Sequence, residues 1–149
     1  MQNSPQKLTP KWFVLADSEK ARLLQGTLTG HGRPHLDECS TLQTSFAPGQ
    51  HQRPSALTGK GHPAHASLGH EHEEKLSHFA RELSTWLQKE LDARKIERCQ
   101  LYAPARFLGA LRKALPKSLQ AKVVENDAEI ANLTLAQLNG HPAITGHLG

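Results

Sequence analysis

The amino-acid sequence predicts one α/β domain, a five-stranded mixed sheet with helices packed on it. Three observations carry that expectation. Trp12–Ala16 is a nearly continuous apolar run, as in a central strand covered on both faces. Leu76, Phe79, Ala80, Leu83, Trp86, Leu87 and Leu91 recur at helical spacing, one apolar stripe of a long helix. From Arg98 to Val124 a short strand, a helix and another short strand alternate. At 149 residues the chain is most simply a single domain, able to bury about 70% of its unfolded surface.

Taken in order, residues 1–10 are polar with two prolines and are expected to form a flexible tail. The apolar run at Trp12–Ala16 is the first strand, and Asp17-Ser18-Glu19-Lys20 is a polar turn. Ala21–Leu28 returns as its antiparallel partner. Thr29–Pro34 turns the chain again, and His35–Phe46 alternates loosely as a third, edge-like strand. The long helix is expected over about Glu71–Arg94, with Glu71, Glu73 and Glu74 in its first turn, where carboxylates complement the helix dipole. Arg98–Ala103 is the fourth strand. Pro104 suits the start of a helix whose buried stripe is Phe107, Leu108, Leu111 and Leu115. Ala121–Val124 is the fifth strand. Asn126–Asn132 and Thr134–Asn139 read as short helices, and 140–149 as a second flexible tail. A right-handed crossover puts the fourth strand parallel beside the first, giving the order 3-2-1-4-5, a ribonuclease-H-like layout. The folded domain then spans 11–139.

Between Cys39 and His70 there is no aspartate or glutamate. The stretch offers few large hydrophobes and cannot pack a core. Residues 47–69, with seven Gly or Pro, are expected as a mobile loop presented to solvent. Its histidines (His62, His65, His70, His72, beside Glu71, Glu73 and Glu74) lack the i, i+4 pair of zinc proteases, and the expectation is no metal and no cofactor.

The net charge of +4 and pI near 9.3 favour anionic partners. From Arg98 to Val124 there are six basic residues and no acid. Arg106 and Lys113, two turns apart, share a helix face. With Arg112, Lys117 and the loop's Arg53 and Lys60 they make a candidate phosphate-binding surface. Few aromatics argue against a stacking platform for single strands. Asp17 and Arg22 flank the first turn and are further candidates, with Asp17 equally suited to capping that turn. Cys39 and Cys99 read as free thiols of a reducing compartment, and MQNSPQKLTPK holds no apolar segment of a secretion signal, so a cytoplasmic location with no membrane partner is expected. Nothing resembles a nucleophile triad, a phosphate loop or a dinucleotide fingerprint.

Three blocks carry a resemblance. Lys11–Leu23 resembles the opening of the bacterial host attachment proteins, Phe79-Ala80-Arg81-Glu82-Leu83 matches their second motif, and Ala103–Arg112 (APARFLGALR) their third. That family is similar to the middle domain of archaeal and eukaryotic class-1 translation release factors, where a loop after the third strand carries Gly-Gly-Gln. The resemblance places Pro48-Gly49-Gln50 at that tripeptide and implies Gly49 and Gln50 as the residues of any ester hydrolysis. Pro48 departs from the pattern, since it fixes φ and removes an N–H. The function expected is a non-catalytic module bound to the ribosome, rRNA or tRNA. The alternatives are a peptidyl-tRNA ester hydrolase acting through Gln50 and a protein-interaction or surface-attachment factor.

Overall fold

The computed structural model describes residues 10–45, the backbone of 64–72 and all of 73–148. The strands are β1 (Lys11–Ala16), β2 (Lys20–Leu28), β3 (Pro34–Gln43), β4 (Cys99–Ala103) and β5 (Val123–Asp127). They form one sheet in the order β3-β2-β1-β4-β5, as the sequence predicts. β1, β2 and β3 form an antiparallel meander, and β4 and β5 are parallel to β1. The helices are α1 (Ala64–Arg94), α2 (Ala105–Ala114), α3 (Lys117–Gln120), α4 (Leu135–Asn139) and α5 (Pro142–Thr145).

Alternation along β1 divides the core between two faces. Val14 and Ala16 join Ala21, Leu23 and Leu101 beneath α1 and α2. The predicted stripe of α1 packs here, with Phe79, Leu83, Leu87 and Leu91 fully buried. Phe79 stacks on Phe107 of α2, ring centroids 5.6 Å apart. Phe13 and Leu15 point the other way, with Leu24, Leu36 and Tyr102, and are covered by Ile130, Ala131, Leu138 and Ile144 from the C-terminal segment. The sheet is therefore the middle of three layers.

Gly26 on β2 makes that second face possible. A Cβ there would stand 2.8 Å from the Phe13 ring, 3.0 Å from Leu36 and 3.1 Å from Leu148. Gly26→Ala is expected to cost roughly 1–3 kcal/mol by overpacking. A denaturation midpoint equal to that of the unmodified protein would show that this face has slack.

Four local expectations are corrected. First, α1 begins at Ala64, not near Glu71, so Glu71, Glu73 and Glu74 lie beyond its first turn, which holds no acid. Gly69 costs a helix only about 1 kcal/mol, less than a packed helix recovers by propagating outward. The segment between β3 and α1 therefore ends before 64 rather than at 69; its residues 46–63, and the expected mobility there, lie outside the described residues. Second, 126–132 is not a helix. β5 runs on to Asp127 in register with Ala103. The Asn126 side-chain amide donates to the Gln100 side chain and to the Leu101 and Val124 carbonyls, which favours the strand. Third, α3 is an additional turn after Pro116, burying Leu119. Fourth, 140–148 is packed, not a loose tail: α5 buries Ile144, and the Tyr102 hydroxyl donates to the Ala143 carbonyl. The expected N-terminal tail lies outside the described residues up to residue 9.

Candidate functional site at the strand ends

β1 and β4 are adjacent and parallel, and the chain leaves them in opposite directions, to β2 on one side and β5 on the other. An α/β sheet opens a crevice at the carboxyl ends of such a strand pair. Here it is lined by Asp17 and Ser18 after β1, by Pro104, Ala105, Arg106 and Phe107 at the start of α2, by Glu129 after β5, and by Leu76 of α1. α2 starts without a side-chain cap and without an acid in its first turn. Its first N–H groups give this end of the crevice a partial positive charge.

A second groove continues from the crevice between α1 and α2, sharing Leu76 and Arg106 with it. Glu73 and Ser77 form one wall and Arg106 and Lys113 the other. Gly109 and Ala110 keep the floor low because they carry little side chain. The predicted pairing of Arg106 and Lys113 on one face is thus the geometry found.

The edge also anchors the start of the β3–α1 connection. β3 runs parallel to β1, so it ends at the same edge of the sheet. The Thr44 N–H donates to the Glu19 carbonyl, and the Ser45 N–H and the Thr44 hydroxyl donate to Glu82 of α1. Burial alone would raise the Glu82 carboxyl, but the Ser45 hydroxyl and N–H, His78 and Thr44 together hold it below the usual carboxylate range. Glu19 is also lowered, by the Lys75 ammonium 2.6 Å away. The segment bearing Gly49, Gln50, Arg53 and Lys60 thus departs from the crevice edge; those four lie outside the described residues, as do the side chains of His62, His65, His70 and His72.

The remaining candidates separate. The Asp17 carboxylate accepts from the N–H groups of Glu19 and Lys20, at 2.8 and 2.9 Å, so it caps the β1–β2 turn while lining the crevice. Arg22 is not with it. Its guanidinium, on the opposite face, donates to the Ala131 and Leu133 carbonyls and pairs with Glu38 at 2.9 Å. With 12% of its side chain exposed, it ties β2 to β3 and to the C-terminal segment. Arg112 pairs with Glu125 of β5 at 2.8 Å, away from the groove, and Lys117 stands exposed at the start of α3. Sequence reasoning missed Ser18, Glu129 and Ser77; Glu129 was hidden by the mistaken helix over 126–132.

Among the described residues, the crevice lining holds one hydroxyl, Ser18, and no cysteine or histidine. Cys99 is buried at the opposite edge and its thiol is pushed up to about 12, and burial also raises Tyr102 to about 12. Both cysteines are free thiols. Among the described residues, no helix is long and apolar enough to cross a membrane.

No curated protein matches the chain. A family model, bacterial archaeo-eukaryotic release factor family 12, matches residues 11–139, which span every strand and the whole crevice. The match agrees with the release-factor likeness carried by the three sequence blocks, and this chain belongs to that release-factor-like family.

Proposed function

We propose that the domain is a translation-associated binding module that holds RNA, on the ribosome or in tRNA, against its α1–α2 groove. The observation that carries the proposal is Arg106 and Lys113 on one wall of a groove opening onto the β1–β4 crevice. Two cations a helix turn or two apart suit successive phosphates, and the uncapped start of α2 adds donors at the crevice end. Family membership supports a role in translation. On this reading Arg53 and Lys60 add charge from the neighbouring connection, while Gly49 and Gln50 do not perform hydrolysis, because Pro48 stands where the release factors have glycine.

Co-sedimentation with purified ribosomes tests it. Arg106→Ala with Lys113→Ala should weaken binding at low salt, and the salt slope should fall by about 1 for each phosphate no longer neutralised. Gln50→Ala should leave binding nearly unchanged. Gln50-dependent release of a peptide from peptidyl-tRNA on ribosomes would instead promote the hydrolase. Ribosome and RNA binding both undiminished in the double variant would remove the groove from the account.

A further inference from the structure

At the edge of the sheet opposite the crevice, three cations stand side by side. Lys11 opens β1, Arg98 immediately precedes β4 and Lys122 immediately precedes β5. Phe13 pairs with Gln100, and Cys99 with Val123. Carrying the parallel registers back by two positions and by one sets Lys11 beside Arg98 and Arg98 beside Lys122. Adjacent strands are about 4.8 Å apart, so the row crosses three strands in roughly 10 Å.

Their partners matter more than their number. Among the described residues none of the three side chains makes an ion pair or a hydrogen bond, whereas Arg22, Lys75, Arg94 and Arg112 are all paired with carboxylates. Like charges abreast in a sheet are destabilising, and among the described residues no carboxylate pairs with this row. It borders a cleft whose lining includes Lys11, Trp12, Lys95, Arg98 and His147, with Glu97 its one carboxylate. Lys95 is accounted for by its place at the carboxyl end of α1, where a cation complements the dipole. Lys122 follows the last turn of α3, but no helix end accounts for Lys11 or Arg98.

We propose that this row is a second RNA-binding surface, taking consecutive backbone phosphates of a single strand across the amino ends of β1, β4 and β5. It is separate from the α1–α2 groove: strands five or six residues long put the two edges roughly 17–20 Å apart. The module then grips RNA at both ends of its sheet. Bonds to phosphate rather than to base edges make this grip indifferent to sequence.

The test uses the full chain and a fluorescein-labelled 12-nucleotide oligouridylate, followed by anisotropy across a salt series. Lys11→Ala, Arg98→Ala and Lys122→Ala together should weaken binding roughly tenfold at 50 mM salt and reduce the salt slope by about 2, at about 0.7 for each phosphate neutralised. An oligoadenylate should respond equally. The triple variant should melt no lower than the unmodified protein, because a repulsive row has been removed. Unchanged affinity in the triple variant would overturn the proposal, as would binding of the unmodified protein to phosphatidylserine vesicles but not to RNA. The Arg106, Lys113 double variant separates the two surfaces. Weakening in the triple variant alone supports this edge and counts against the groove, and weakening in the double variant alone does the reverse.

Discussion

Replacing Phe79 with alanine is expected to cost about 3–5 kcal/mol of stability, the range for removing a buried aromatic ring. The ring is wholly inaccessible and stacks on Phe107, so its loss leaves a cavity at the meeting of α1, α2 and the sheet. Neighbouring strands fix Val14 and Leu101 on the sheet side, which limits collapse into the space. With a urea slope near 2 kcal/mol/M, the denaturation midpoint should fall by roughly 2 M. Arg81, exposed on the same helix, is the control, and its alanine variant should stay within about 0.5 kcal/mol of the parent. Similar midpoints for the two variants would mean that α1 presents a different face to the sheet.

The second large effect concerns the C-terminal segment. Ending the chain after Asn139 removes Ile144, Leu148 and the carbonyl that accepts from Tyr102. Losing a buried isoleucine costs about 1.5–3 kcal/mol, and leaving a buried hydroxyl without its acceptor costs about 1–3 kcal/mol more. The expected sum of roughly 3–6 kcal/mol is a large part of the 5–15 kcal/mol that a domain commonly holds. The shortened protein should melt far lower and bind a hydrophobic dye through the uncovered Phe13, Leu15 and Leu24. A melting temperature unchanged by the truncation would return residues 140–148 to the status of a loose tail.

The sheet order was legible because it rests on strong periodicity and chain handedness. Trp12–Ala16 and the α1 stripe state their burial plainly, and the crossover rule leaves little choice for β4 and β5. What stayed hidden depends on partners distant in sequence. Residues 126–132 have helix-compatible side chains, yet pairing with β4 outweighs that weak preference. Ile144 and Leu148 sit in a histidine- and glycine-rich stretch, and only the recess at Gly26, far along the chain, shows why they pack. At the site, Arg106 and Lys113 were readable from their spacing on one helix. Arg112 looked equivalent to them until Glu125, on another element, appeared opposite it. The Asp17 cap was legible because a short carboxylate beside a turn bonds its own backbone.

The three-layer arrangement also sets a timetable for the nascent chain. The β1–β2–β3 meander is synthesised early, and α1 can cover one of its faces soon after. The other face waits for residues 130–144, and Arg22 waits for carbonyl partners 109 and 111 positions downstream. Until then Phe13, Leu15 and Leu24 form an apolar sheet surface open to water, which invites pairing with other chains. Burial of β1 on its second side therefore follows the synthesis of α1, α2 and β5. A polypeptide halted between α2 and α5 would carry a half-covered sheet, a natural target for chaperones.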